Sequence, residues 1–256
     1  RELYRELHRH PELSNREVKT AARMAAELRA LGAEVTERIG GLGVVGVLRN
    51  GEGPLLMLRA DMDALPIAET TGLEYASAIR GESDDGRGVG VMHACGHDLH
   101  MTCLLGAAGR LAADKSAWRG TILCLFQPAE ERGLGAKQML DDKLFARFGK
   151  PDFALALHVA HDMTAGTIGH RAGWAMANVD SVDIVVHGRG GHGSTPHLTI
   201  DPITIAALLV VDLQTIVSRE LAAQEPAVVT VGAIHGGSKH NIIPDQCELQ
   251  LTVRSY

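Results

Sequence analysis

Aromatic side chains are scarce. Phe, Trp and Tyr make up 4% of the 256 residues, although 45% of the chain is hydrophobic. A core is available, but Ala and aliphatic residues must fill it. Cysteine is also sparse: Cys95, Cys103, Cys124 and Cys247 are too few and too scattered for a disulfide framework. Cys103, Cys124 and Cys247 sit in apolar or strand-like runs and are expected to be buried as small hydrophobes. Only Cys95 is flanked by imidazoles. No Lys/Arg run stands out and the net charge is -6, which argues against nucleic acid as a partner. No apolar stretch reaches membrane-spanning length, and no signal-peptide pattern opens the chain. The expectation is a cytoplasmic protein with no membrane partner.

What is present alternates strand and helix signals. Ser14-Asn15-Arg16-Glu17 reads as a capping box for a helix to about Leu31, with Gly32 as its stop. Val44 to Leu48 and Leu55 to Leu58 read as buried strands, and Asp98 to about Leu111 as a helix. Thr121 to Phe126 and Phe153 to His158 are further strands, with a helix over Gly133 to Leu140 between them. The pattern predicts an α/β domain with a central, mostly parallel sheet over residues 1–176. Ligands gather at the carboxyl ends of such strands. Asp61, Glu130, Glu131 and His158 each close or follow one. Residues 177–256 read as strand, helix, strand, strand, most of a ferredoxin-like split βαβ domain. In it Asp201-Pro202 caps a helix ending near Ala223.

The chemistry concentrates in His93-Ala94-Cys95-Gly96-His97-Asp98-Leu99-His100, Pro128-Ala129-Glu130-Glu131 and Leu157-His158-Val159. Thiolate, imidazole and carboxylate donors with one spare acid suit metal-assisted hydrolysis. Successive side chains of an extended strand point apart, so a turn must aim both Glu130 and Glu131 inward. One then ligates and the other takes a proton from water. The plainer readings are a buried thiol for Cys95, a satisfied core histidine for His158, a solvated acidic pair for Glu130 and Glu131, and a loop histidine for His192. His93 and His100 fit packing better than ligation. A metal-bound imidazole donates its second nitrogen to an acceptor, for which Asp61 or Asp98 could serve.

Those segments, with Arg59-Ala60-Asp61-Met62-Asp63-Ala64-Leu65-Pro66, Gly191-His192-Gly193-Ser194 and Asn241-Ile242-Ile243-Pro244-Asp245, resemble one family across essentially the whole chain. It is the amidohydrolase branch of the aminoacylase/carboxypeptidase dinuclear metallopeptidases, which includes hippurate and indole-acetyl-amino-acid hydrolases. The resemblance implies two divalent ions (Zn, Mn or Co). Cys95 would be the bridging thiolate, with His97, Glu131 and His158 as further metal ligands and Glu130 as general base. His192 would reach a substrate carbonyl, with Asn241 and Arg254 as weaker candidates for a substrate carboxylate. The implied substrate is an N-acyl amino acid. The implied assembly is a homodimer through the second domain, which also acts as a lid. A dipeptidase or aminopeptidase on the same site, or a non-catalytic binder, are the alternatives.

Two further points matter, one that fits this branch and one that departs from it. Arg59 stands where more distant relatives carry a metal-binding His. The family's catalytic domain also resumes after the second domain and supplies one more His, whereas this sequence stops at Tyr256. The expectation is a C-terminally truncated or degenerate chain, unstable or inactive in isolation.

Overall fold

Two helices open the first unit, α1 (Glu2–Arg9) and α2 (Val18–Ala30). There follow β1 (Glu34–Ile39), β2 (Gly43–Asn50), β3 (Leu55–Asp61), the short β4 (Arg80–Glu82) and β5 (Gly88–Gly90), then α3 (His97–Ala113). β6 (Gly120–Gln127), α4 (Gly135–Asp141), α5 (Leu144–Phe148) and β7 (Phe153–Ala156) complete it. The computed structural model describes residues 1–83 and 86–256. It divides into Arg1–Asp162 and Met163–Tyr256, so the division falls before the 176/177 boundary expected from sequence.

The large sheet has the order β1-β2-β6-β3-β7. β6, β3 and β7 run parallel, but β1–β2 and β2–β6 are antiparallel. The sheet is therefore mixed, which corrects the mostly parallel expectation. The cause is a hairpin: Gly40 and Gly41 take positive φ and return the chain directly from β1 to β2. β1 carries no hydrophobic run, because its Glu-Val-Thr-Glu-Arg-Ile stretch is charged and half exposed, as an edge strand is.

β2 and β6 are buried along most of their length. One face of the sheet packs Val44, Ala60 and Phe126 against Met24 and Leu28 of α2 and Met101 and Leu105 of α3. The other packs Val45, Leu123 and Leu125 against Met139 and Leu144. Gly46 lets α2 approach closely, since a Cβ there would lie 2.7 Å from Leu28 Cδ1. Cys124 and Cys247 are buried, but Cys103 is exposed. It falls outside the buried stripe of α3 and lines an open apolar cavity of about 250 Å³ beside Leu155 and Leu157.

The capping box does not form. α2 begins at Val18 with no side-chain cap from Glu17. Glu12 takes that place, accepting from Lys19 N at 3.2 Å and Thr20 N at 2.8 Å. Ser14 and Glu17 are drawn to distant buried partners, described below.

The second unit contains β8 (Asn178–His187), β9 (Gly191–His192), α6 (Pro202–Thr215), β10 (Val228–Gly236), β11 (Ile242–Ile243) and β12 (Gln246–Ser255). Its antiparallel sheet has the order β10-β12-β8. Ala206, Leu209 and Leu213 of α6 pack onto Ile184, Leu249 and Leu251. Asp201 caps α6, accepting from Ile203 N at 3.0 Å. A π-helical turn, Ile216–Glu220, extends it. Pro202–Glu220 is long and apolar enough to cross a membrane by length and composition alone, with a mean hydropathy of 1.4. Its Ala206 face instead forms one layer of this α/β unit.

Candidate metal centre

The parallel strands deliver the donors to one edge. β3 ends at Asp61, β6 leads into Pro128-Ala129-Glu130-Glu131, and β7 leads to His158. His97 opens α3 after Gly96, whose φ is +80°. A Cβ at Gly96 would lie 2.7 Å from Val159 Cγ2, so glycine lets the Cys95 loop close on the His158 segment.

His97 is the centre of the cluster. Three groups have ligand atoms within 4.8 Å of one another: Cys95, His97 and His158; His97, Glu130 and Glu131; and Asp61, His97 and His100. His97 Nε2 lies 3.7 Å from Glu131 Oε1 and 3.8 Å from Glu130 Oε2. Cys95 Sγ lies 3.4 Å from His158 Nε2. The His158 Nδ1–H is given to Val159 O at 2.7 Å, which leaves Nε2 free to ligate.

The Glu130–Glu131 turn is built from below. Ala129 takes φ +47°, which turns the strand so that both acids face His97. Glu17, fully buried, accepts the Ala129 N–H at 2.8 Å. Asp63 Oδ2 accepts the Glu131 N–H at 3.0 Å and the Ser14 hydroxyl at 2.6 Å. The Asp63 carbonyl accepts His97 Nδ1–H at 2.8 Å, with Asp63 Oδ1 3.3 Å from the same nitrogen. Asp63 thus sets the tautomer of the neutral His97 ring, with Nε2 the nitrogen that faces the cluster. Burial opposes protonation of this ring, but Asp63, Asp61 and Glu131 raise its pKa.

Asp61 anchors a neighbouring imidazole. Its Oδ1 accepts His100 Nδ1–H at 2.7 Å, and His100 Nε2 accepts the Val159 N–H at 2.9 Å. With both nitrogens used, His100 positions the His158 segment and is not a ligand. Arg59 holds the other oxygen of Asp61 at 2.8 Å and Gln127 Oε1 at 2.9 Å. Despite burial, the His100 hydrogen bond and Arg59 draw the Asp61 pKa down to about 2. Asp98 belongs elsewhere, which corrects its candidacy: its Oδ2 accepts His8 Nδ1–H at 2.6 Å. His93 is buried, and desolvation lowers its pKa to about 4, so it is neutral.

This donor set fits a divalent cation. His97 Nε2 and Glu131 Oε1 are buried with no hydrogen-bond partner among the described residues. Each such orphan costs about 1–3 kcal/mol. Burial and then the Glu131, Glu130 and Asp61 carboxylates push the Cys95 thiol up to about 12. Burial also raises Glu131. Positive charge at this point would relieve all of these penalties together.

The second-unit candidates do not all converge. His192 pairs with Ile242, and the Gly193 N–H donates to Asn241 O at 2.9 Å, so His192 and Asn241 share one ribbon. That ribbon adjoins the start of β12, where the Gly188 N–H donates to Asp245 O. Arg254 pairs with Val179 and Val228 at the opposite end of β12. At ~3.3 Å per residue it lies roughly 26 Å along the strand. Within one protomer Arg254 and Asn241 cannot grip one carboxylate.

By sequence, Asp63 has no role beyond its place in the Arg59–Pro66 motif, and Ser14 and Glu17 have only helix-capping ones. No local pattern could reveal them, because their partners lie 34 to 112 positions away.

An α/β unit that converges thiol, imidazole and paired carboxylates at the carboxyl edge of its sheet defines a class of proteins suited to holding divalent metal. Within that class the chain belongs to peptidase family M20/M25/M40, whose sequence pattern matches residues 57–251. It is 42% identical to thermostable carboxypeptidase 2 of Saccharolobus solfataricus, over 99% of this chain and 63% of that protein. It is 44% identical to the hippurate hydrolase of Campylobacter jejuni, over 98% of this chain and 62% of that protein. A Bacillus subtilis structure described as a dinuclear metal-binding peptidase of the M20 family superposes with a TM-score of 0.78. It shares 34% identity and is covered over 63% of its length by all of this chain. The chain thus spans just under two thirds of the relatives it matches.

Proposed function

We propose that the chain carries the metal-binding part of an amidohydrolase that cleaves the amide of N-acyl amino acids of the hippurate type. The observation that carries this reading is the Ala129 turn. It sets two adjacent acids against His97, with Glu131 21% and Glu130 39% exposed. The less exposed acid suits ligation, and the more exposed one suits proton transfer to and from water.

Cys95, His97, Glu131 and His158 would hold two divalent ions, for which Zn, Mn and Co all suit a mixed S/N/O set. Such ions, when bound, acidify water and polarise a carbonyl. Glu130 takes a proton from the attacking water as the new C–O bond forms. It returns that proton to the nitrogen as the C–N bond breaks, releasing a carboxylic acid and an amino acid. His192 donates to the carbonyl oxygen, and Asn241 on the same ribbon serves the substrate carboxylate. The second unit acts as a ferredoxin-like lid and homodimer contact. Support for that contact comes from Leu208 and Val211 on the outer face of α6, 63% and 65% exposed.

The similarity to a carboxypeptidase favours a second reading, a dipeptidase on the same centre. Release from N-benzoylglycine compared with release from a free-amino dipeptide separates the two. The test of both is Glu130→Gln after loading with Mn or Zn and desalting. Metal content should be unchanged while turnover falls about 10²–10⁴-fold. Turnover equal to that of the parent protein would overturn the mechanism.

A further inference from the structure

The ribbon that carries His192 is held on both sides. A Cβ on Gly191 would lie 2.7 Å from Thr199 Cγ2, and one on Gly193 would lie 3.2 Å from the Asn241 backbone. The Thr195 N–H closes a turn on His192 O at 3.0 Å. This leaves the imidazole of an exposed residue on a fixed backbone.

Ser194 then addresses the ring twice. Its backbone N–H donates to His192 Nδ1 at 3.2 Å, and its hydroxyl lies 2.7 Å from the same nitrogen. A backbone N–H can only donate. Nδ1 must therefore be the unprotonated nitrogen, and the hydroxyl donates to it as well. The proton of the neutral ring is left on Nε2. We infer that Ser194 is a positioning residue that locks His192 in the Nε2–H tautomer and fixes its ring plane. His192 is then an outward hydrogen-bond donor, suited to a carbonyl oxygen that gains negative charge, rather than a base. The inference rests on the hydrolytic reading above for its consequence, but not for its geometry.

The test uses the whole chain labelled with ¹⁵N-histidine, with the His192 signals assigned by comparison with His192→Gln. At neutral pH Nδ1 should show the shift of an unprotonated, hydrogen-bonded nitrogen and Nε2 that of a protonated one. Ser194→Ala keeps the backbone N–H and loses only the hydroxyl, so it should move both part of the way toward the averaged values of free imidazole, and Ser194→Thr should restore them. In turnover of N-benzoylglycine, Ser194→Ala should lower kcat about tenfold, the scale of one hydrogen bond, with KM little changed. A protonated Nδ1, or shifts identical in Ser194→Ala and the parent, overturns the inference even if hydrolysis is intact. Shifts that respond as expected in a chain that does not hydrolyse the amide uphold the tautomer lock and overturn the hydrolytic reading instead.

Discussion

Glu17 Oε1 accepts the Ala129 N–H at 2.8 Å across 112 positions of sequence. The contact fixes a non-glycine residue at positive φ, a conformation that costs about 1–3 kcal/mol and persists only when its surroundings hold it. Glu17→Ala should leave the buried Ala129 N–H unpaired and destabilise the chain by about 1–3 kcal/mol. Glu17→Gln keeps a carbonyl acceptor and should retain most of that stability. Thermal melts of the metal-free proteins decide it, and equal losses in both variants would show that the hydrogen bond is not what matters.

Asp63 touches His97, Glu131 N and Ser14 at once. Asp63→Ala should lower metal affinity 10–100-fold, as loss of a ligand-orienting partner does. Calorimetric titration with Zn reads this directly. An affinity equal to the parent's would mean the donors hold their geometry without the carboxylate.

His8 provides a pH signature. Burial opposes its protonation, but hydrogen bonds to Asp98 and Glu69 outweigh that and raise its pKa above the ordinary value. The folded chain therefore keeps a proton that the unfolded chain releases. This stabilisation is complete below about pH 6.5 and is lost as pH rises through the higher folded value. Urea unfolding across that window should show falling stability, and His8→Gln should flatten the slope. A slope unchanged in the variant would assign it to another group.

Cysteine reactivity should separate cleanly. Cys103 is exposed and should react first with a thiol reagent, whereas Cys124 and Cys247 are buried and should react only on unfolding. Cys95, with its pKa pushed to about 12, should be slow in metal-free protein. Peptide mapping after brief labelling gives the order.

The edge strand β7 presents Phe153 and Leu155, and Leu157 follows it, each more than half exposed. Such an edge invites pairing with another chain. The 256-residue chain should self-associate with rising concentration, and Leu155→Lys should reduce this in light scattering. Scattering that is the same for both would place the association elsewhere.

The sequence by itself determined the candidate donors, the long strands, the capped α6 and the order of motifs along the chain. These are local properties: hydrophobic runs, an Asp-Pro start, and residue types whose chemistry does not depend on their neighbours. Even the need for a turn at Glu130 and Glu131 follows from the pleat of a strand. Tertiary structure decided what supports them. Ser14 and Glu17 spell a capping box, yet Asp63 and Ala129 claim them, because a buried donor left unpaired costs more than a helix end exposed to water. Asp98 follows His97 directly but points into the His8–Glu69 pair, while Asp63, 34 positions from His97, orients it. Arg254 and Asn241 are separated by a length of strand that no motif encodes. Partnerships across the chain depend on which strands adjoin, and the hairpin that inserts β1 and β2 into the sheet is set by backbone geometry at Gly40 and Gly41.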